Sequence, residues 1–410
     1  MINKKMINYE KSFGYLKKNI SELKSSELIK IKDALGRYVA RDIYSSINIP
    51  PSNNSAVDGY AYRFKDIKHK KFNSLNVISN LNAGEIKVFH IKRFDAIKIS
   101  TGAILPKSFD SVVMQENIII SENNKIAFKD TLNNFKGMNV RKRGEDIKKT
   151  ELVFKKHHQI RPQDIGMLAS LGLTKVKVFK IPLAAVFSNG NEVIEPGKTK
   201  SNYQIYDSNR YLIFSLLKKN KINYKDFGIL KDNFKVIKEK IQLVAKSTDL
   251  IIISGGASEG AKDHIFNALK SIGKIKFWKV SIKPGRPFGF GLISNKIPVL
   301  MLPGNPVASF VIYYLFAKSL INYMMGNKKY KHKSFLVKSN FTMKKKVGRE
   351  EFLRGKIKIF KGEVFVNKYK TQGAGILKSI VWSDGLIRLR SNTEIIKKND
   401  FLEFIPFEGF

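Results

Sequence analysis

The chain has 410 residues, which at about 150 per domain points to roughly two to four domains. Hydrophobic residues make up 43%, with 28 Gly and 12 Pro, ordinary globular usage that excludes a collagenous or disordered chain. The absence of cysteine removes disulfides, thiolate zinc sites, iron–sulfur ligation and a Cys nucleophile together, and fits a reducing compartment. Lys and Arg number 75 against 34 Asp and Glu, a formal net charge of +41. The basic residues run through every segment alongside abundant Asn and Ile, and no helix–turn–helix, zinc-finger or RNP-type motif accompanies them. The charge therefore reads as compositional drift that helps an anionic small substrate arrive, not as specific nucleic-acid recognition.

Residues 1–12 are rich in Lys and Asn and lack the apolar core of a signal peptide. Apolar spacing predicts helices over Tyr9 to Leu23 and Glu27 to Val39, the second carrying Leu28, Ile31, Leu35 and Val39. Pro50 and Pro51 stop the helix and open a loop. From there to about Lys148 short strands are predicted: Ile86 to His90, Ala96 to Ser100, Ser111 to Gln115 and Asn117 to Ile120. A short helix, Pro162 to Leu171, ends at Gly172. Strand–turn–helix repeats follow. The strands are Leu183 to Phe187, Leu250 to Ser254, Ile275 to Val280 and Val299 to Leu302. The helices are Asn209 to Lys218, Phe234 to Ala245, His264 to Ile272 and Val307 to Met325. This alternation predicts an α/β domain with a parallel sheet covered on both faces. The last helix is oily, but Lys318, Asn322 and several Tyr interrupt it, so it reads as a buried helix and not a membrane span. Beyond Lys328 short strands and Gly turns predict a small all-β module.

Ser254-Gly255-Gly256-Ala257-Ser258 follows a β-branched strand and precedes a helix, so its amides are placed to face an anion. Leu302-Pro303-Gly304-Asn305-Pro306 also leaves a strand and enters a helix, with Pro306 suited to the first turn. Each alone is an ordinary turn; two at carboxyl ends of strands in one sheet point to a ligand site. Lys279, Lys283 and Arg286 surround a turn braced by Pro284 and Pro287, which reads as an anion clamp more than a solvated loop. Among the scarce carboxylates, Asp58, Glu145, Asp146, Glu192, Asp207 and Asp263 stand in motif-like surroundings. Asp207 reads as a helix N-cap, and Asp263, beside the Gly turn, as an oxygen ligand for a hard cation such as Mg²⁺. There is no HExxH and no Gly-x-Ser-x-Gly, and His69, His90, His157, His158, His264 and His332 show no metal-ligand spacing. Zinc chemistry and serine-triad hydrolysis are disfavoured.

Taken in order, these pieces resemble one family over nearly the whole length. They are Ala34-Leu35-Gly36-Arg37, Asn54-Ser55-Ala56-Val57-Asp58-Gly59-Tyr60-Ala61, Ser100-Thr101-Gly102-Ala103, Val112-Val113-Met114-Gln115-Glu116 and Arg143-Gly144-Glu145-Asp146. Tyr206-Asp207-Ser208-Asn209-Arg210, the Ser254 turn, Lys283-Pro284-Gly285-Arg286-Pro287, Leu302-Pro303-Gly304-Asn305-Pro306 and Gly348-Arg349-Glu350-Glu351-Phe352-Leu353-Arg354-Gly355 complete the set. The chain resembles the molybdopterin molybdenumtransferases, the MoeA proteins and the gephyrin E domains.

The resemblance implies a multidomain α/β plus β fold. A split linker domain would take residues 1–45 and 148–177, an inserted β-domain 46–147, a MogA-like α/β domain with a mostly parallel sheet 178–327, and a β-barrel-like domain 328–410. It also implies a cytoplasmic homodimer with its active site at the subunit interface. The implied reaction inserts molybdenum from molybdate into adenylylated molybdopterin with release of AMP and help from Mg²⁺, and the molybdopterin adenylyltransferase is an implied delivering partner. By matching position, Gly255, Gly256 and Ser258 would take the pterin phosphate. Lys279, Lys283 and Arg286 would hold anionic oxygen, with Lys283 and Arg286 on molybdate, beside Pro303 and Pro306. Asp263, Glu192 and Asp232 would serve Mg²⁺ or a water, with Asp263, Glu192, Lys279, Asp58 and Asp146 in the catalytic set. Asp58, Thr101 and Asp146 would come from the other subunit, and Arg349 would reach in from the C-terminal module. Departures from the family pattern stand at Asn191, where it often has Asp; at Asn53 and Val57, in place of its usual Asp and Met; and at Ala374, where some members carry Ser. The alternative is a non-catalytic scaffold of the same fold, which retention of Lys283, Arg286, Asp263 and the Gly turn disfavours.

Overall fold

A computed structural model of the chain describes residues 6–20, 23, 25–69, 72–121, 124–130, 134–256 and 264–407. The chain divides into two compact units, one of residues 28–177 and one formed by the segments before and after it.

The unit of residues 28–177 carries a six-stranded sheet in the order Ser111–Met114, Gly59–Tyr62, Asp95–Ile99, Leu75–Leu81, Lys125–Phe128, Ile118–Ser121. Gly59–Tyr62 is buried throughout, and a Cβ on Gly59 would lie 1.9 Å from the Val113 carbonyl oxygen. Only glycine lets the strands meet there, and this seats Asp58 at the strand's mouth. Leu75–Leu81 buries its ends and exposes alternate residues between them, as a strand with one wet face does. The helix Pro162–Ser170 starts on its proline, with Asp164 accepting from the Arg161 amide at 2.8 Å, and turns off at Gly172 with φ +75°.

Two sequence expectations fail in this unit. Residues 27–39 are not a helix. They form a strand, Ser26–Lys30, and a single 3₁₀ turn, Ile31–Asp33. The amides of Ile31, Gly36 and Val39 donate to Thr174, Ile160 and His158 carbonyls, so tertiary partners take the bonds an α-helix needs, and Leu28 and Leu35 stay exposed. Ile86 to His90 forms no strand, because nothing covers its apolar face: Ile86 and Val88 are 89% and 91% exposed.

The other unit holds the α/β domain. Its strands are β1 (Leu183–Asn189), β2 (Asn223–Leu230), β3 (Leu250–Ser254), β4 (Gly273–Phe277), β5 (Gly289–Ile293) and β6 (Ile297–Leu302), arranged β2-β1-β3-β6-β5-β4. The first four strands in that order run parallel, whereas β5 and β4 pair antiparallel. The strand predicted at Ile275 does run in the direction of the parallel set, but as an edge strand separated from it by β5, the one strand of the sheet that runs the other way. Its helices are α1 (Tyr9–Asn19), α2 (Asn209–Lys219), α3 (Phe234–Ala245), α4 (His264–Ile272) and α5 (Pro306–Met324, with one π-helical turn at Tyr313–Ala317).

Side-chain alternation along the strands divides the core. Ala184, Val186, Leu250, Ile252, Leu300 and Leu302 pack with α2 and α5 on one face. Ala185, Phe187, Ile251, Ile253, Val299 and Met301 pack with α3 and α4 on the other. With both faces covered, the strands read as unbroken apolar runs. Helix α5 is long and apolar enough to cross a membrane by length and composition, but 78% of its most apolar stretch lies inside the protein, as the sequence reading expects. Helix α1 stops at Asn19, short of Leu23, and docks Tyr9 and Phe13 on Phe316 at ring distances of 5.7 and 4.8 Å.

The C-terminal module is a closed five-stranded barrel. Glu350–Phe360, Glu363–Lys368, Phe335–Ser339, Phe401–Pro406 and Gly385–Leu389 pair in sequence, and the last returns to the first. A two-residue strand, Ile282–Lys283, adds to the Glu350 strand in parallel.

Candidate active site

All four parallel strands open at their carboxyl ends onto one cleft of about 830 Å³, the place where open α/β sheets carry ligands. Ser188 to Val193 enter it from β1, Asp232 from beyond β2, Ser254 to Gly256 from β3 and Pro303 to Pro306 from β6, with Ile205 to Asn209, His264 and Pro287 around them.

The turns are shaped by glycine. Gly255 sits at φ +91°, where a Cβ would lie 2.6 Å from the Asn189 carbonyl oxygen, and its amide donates to the Leu302 carbonyl at 3.1 Å. The turns of neighbouring strands β3 and β6 thus close on each other. Gly190, at φ +134°, leaves the space that the Glu192 carboxylate fills; a Cβ there would lie 2.6 Å from both of its oxygens. Asp232 accepts from the Asn189 Nδ2 at 2.9 Å and the Asn191 amide at 3.3 Å, while its own amide donates to Asn191 Oδ1 at 3.2 Å. Asn191, a departure from the family pattern, is therefore half of a reciprocal clasp.

Beneath the cleft Arg210 is 1% exposed and donates to Asp207 (3.0 Å), Asp226 (2.6 Å) and Glu195. Burial disfavours its charge, yet the hydrogen bond it donates to Glu195 and the charges of Asp226 and Asp207 hold its pKa above the usual guanidinium value. Asp207 is not the N-cap that the sequence suggests. Ser208 occupies that position, and Asp207 instead accepts from the Arg210 amide at 3.1 Å and from its guanidinium.

Of the residues singled out from sequence, Glu192, Asp232, Gly255, Gly256, Pro303 and Pro306 share the cleft. Among the described residues lining it there is no Lys or Arg. Lys283 points its ammonium to Glu351 at 3.3 Å with its side chain half exposed, Arg286 is exposed, and Lys279 and Arg349 are partly buried. Only Pro287 of the cationic hairpin reaches the cleft. Ser258 and Asp263 lie outside the described residues.

In the unit of residues 28–177, Asp58 Oδ1 accepts from the Thr101 amide at 2.7 Å and its hydroxyl at 2.9 Å, which holds the exposed carboxyl below its usual pKa. Asp146 is exposed on the Gly144 turn, whose Arg143 amide donates to Asn53 at 2.8 Å.

Several residues escaped sequence reasoning. Ser188, Asn189 and Asn209 are 2%, 8% and 9% exposed, and Ser188 Oγ, Asn189 Oδ1 and Asn209 Oδ1 lack hydrogen-bond partners although they belong to cleft residues. The signal was that Ser188 and Asn189 end a buried strand, as Ser254 does. Arg354 is fully buried and donates only to neutral groups, Ser379 Oγ and the Phe352 and Gly373 carbonyls; burial pulls its pKa down to about 10. It braces the loop whose Ala374 carbonyl accepts from the Val307 amide in the first turn of α5.

Amide-lined turns and carboxylates at the tips of parallel strands place the chain among the mixed α/β proteins that hold a small ligand at the strand ends. The family descriptions "MoeA N-terminal region (domain I and II)", "Probable molybdopterin binding domain" and "MoeA C-terminal region (domain IV)" match residues 7–172, 185–322 and 337–407. A molybdopterin molybdenumtransferase of Haemophilus influenzae is 34% identical over 93% of this chain and 94% of its own. A putative molybdopterin biosynthesis protein of Methanocaldococcus jannaschii is 33% identical over 97% and 95%. The crystal structure of a molybdopterin biosynthesis MoeA protein from Pyrococcus horikoshii superposes with a TM-score of 0.82 at 28% identity, over 98% of this chain and all of that one. The chain belongs to the molybdopterin molybdenumtransferase family, and with it to the transferases of molybdenum cofactor biosynthesis.

Proposed function

We propose that this chain inserts molybdenum from molybdate into adenylylated molybdopterin, releasing AMP, as a cytoplasmic homodimer that works with Mg²⁺ and receives its pterin from the molybdopterin adenylyltransferase. The observation that carries the reading is the cleft itself. In a chain of net charge +41, its described lining offers amides, amide side chains and the carboxylates Glu192, Asp232 and Asp207, the last held by Arg210, without Lys or Arg in the lining itself. Such a lining suits a polyanion that arrives with a metal, because Mg²⁺ takes one or two protein carboxylates and completes its shell with water and phosphate oxygens.

The donor set fits that ion. Glu192 and Asp232 are hard oxygen ligands in one cleft, Gly190 leaves room for the Glu192 carboxylate, and among the described residues no cluster of three or more ligating side chains competes. Glu192 and Asp232 would hold Mg²⁺, with Asp263 a further candidate, and the bound ion would neutralise phosphate charge. The open amides of the Gly255 and Pro303 turns would take phosphate oxygens, and Lys283, Arg286 and Arg349 would draw in molybdate. A second copy would contribute Asp58, Thr101 and Asp146. Because the pterin brings the dithiolene sulfurs, an enzyme without cysteine loses nothing.

The test is to incubate the purified protein with adenylylated molybdopterin, molybdate and Mg²⁺ and to follow AMP. Turnover that needs molybdate and disappears with chelator is the expected result. A folded dimer that binds the pterin but releases no AMP under any metal would overturn the reading and leave the scaffold role.

A further inference from the structure

We propose that Asn209 is a positioning residue for this reaction: it sets the spacing between the two turns that receive the substrate's phosphate oxygens. The inference rests on the reading that the cleft binds adenylylated molybdopterin through those turns.

Asn209 is the first residue of α2 and is 9% exposed. Its Nδ2 donates to Ser254 Oγ at 2.8 Å and to the Gly304 carbonyl at 2.7 Å. One amide group therefore ties the end of β3 to the turn after β6. The Gly304 bond settles the orientation of the side chain, since a carbonyl can only accept. The remaining oxygen, Asn209 Oδ1, is buried without a partner, a cost that an apolar residue would not carry. Asn209 is thus placed for what it donates.

What it separates is the receptor. Among the described residues the amides of Gly256, Gly304 and Asn305 have no acceptor, and all three residues line the cleft. Gly256 follows Ser254 by two residues, and Gly304 is itself one end of the tie. Holding Gly304 by its carbonyl also fixes the trans peptide to Asn305, so that residue's N–H is set on the opposite side. The neighbouring Arg210, with carboxylates on Nε, Nη1 and Nη2, anchors the start of α2 beneath the tie. A buried guanidinium held at each nitrogen cannot let the preceding residue drift.

The two arms of the tie can be cut separately. Asn209→Asp keeps the size and can replace the bond donated to Ser254 with one accepted from the Ser254 hydroxyl, but it can no longer donate to the Gly304 carbonyl and repels it. Ser254→Ala cuts the other arm, together with the long bond from the Ser254 hydroxyl to the Pro303 carbonyl at 3.5 Å. Asn209→Asp and Asn209→Ala are expected to raise the KM for adenylylated molybdopterin about 30-fold or more while kcat falls severalfold less. Ser254→Ala, at a residue of the cleft itself, should raise the same KM less than Asn209→Asp does. Crystal structures of the ligand-free parent and Asn209→Asp should show the Gly304 carbonyl turned away and the gap between the two turns widened. An undisplaced Gly304 carbonyl in Asn209→Asp, or a Ser254→Ala defect equal to that of Asn209→Ala with Asn209→Asp unimpaired, would overturn the proposal. Absence of AMP release by the parent would overturn the assigned reaction instead, and the carbonyl's position would still decide the geometry.

Discussion

At the strand tips of the α/β domain, position is set by the backbone. Gly255 and Gly256 hold positive φ against walls that admit no side chain, and the Asn189–Asp232–Asn191 clasp fastens one tip to the next. In the Lys279 to Phe288 hairpin the polar groups are instead long cationic side chains: Lys283 is half exposed and shares its charge with Glu351, and Arg286 is exposed. The contrast shows how a chain of net charge +41 obtains selectivity. Attraction for anions is available over much of its surface, so attraction cannot distinguish one anion from another. On the reading proposed above, distinction would come where donors are fixed at set spacings and where the cleft carboxylates repel a phosphate that arrives without a cation.

That contrast can be broken most directly at Gly255. Gly255→Ala places a methyl 2.6 Å from the Asn189 carbonyl oxygen at a φ that L residues avoid, so the turn must shift. Turnover by AMP release should fall about 100-fold with the chain still folded by circular dichroism, the equivalent of about 3 kcal/mol. Near-normal turnover would show that the turn does not set the site. The hairpin should respond more mildly. Lys283→Ala is expected to raise the molybdate requirement about tenfold and leave kcat and melting nearly unchanged, because a half-exposed pair with Glu351 contributes about 0–1 kcal/mol. A loss as large as that of Gly255→Ala would erase the distinction drawn between the two regions.

The smallest effect lies in the other unit. Asp58 is held below its usual pKa chiefly by the Thr101 amide and next by the Thr101 hydroxyl. A depressed folded-state pKa means the charged form persists on acidification below the normal carboxylate range, and the stabilising bonds are lost only as pH falls through that lowered value. Thr101→Val removes the hydroxyl and keeps the amide, so the Asp58 pKa should rise part of the way toward its ordinary value. A carboxyl ¹³C titration of the two proteins measures this directly, and an unchanged midpoint would assign the whole shift to the backbone.

Much of the organisation was legible before any coordinates. Residues 250–253 announce a strand buried on both faces, Phe234–Ala245 and His264–Ile272 carry clear helical spacing, and Pro303 to Pro306 reads as a turn into a helix. The errors have a common cause. The apolar residues at 28, 31, 35 and 39 fit a helix, yet the amides of Ile31, Gly36 and Val39 find partners at Thr174, Ile160 and His158, far along the chain. Ile86 and Val88 alternate as a strand does, but no neighbour covers them. Local pattern states what a segment would prefer; whether another segment completes it is a long-range matter.

The sequence by itself determined the order of elements, the glycine and proline turns, the scarcity of carboxylates and the family to which the chain belongs. These are properties of single residues and short spacings, which dihedral preference and side-chain chemistry decide locally. Only the tertiary structure decided that β5 runs antiparallel between β6 and β4, that Arg210 gathers Asp207, Asp226 and Glu195, that Lys283 faces Glu351, and that Asn209 joins Ser254 to Gly304. Those pairings join residues up to 95 positions apart. Hydrogen bonds and ion pairs act over a few ångströms, and only the packed sheet brings such groups within that range.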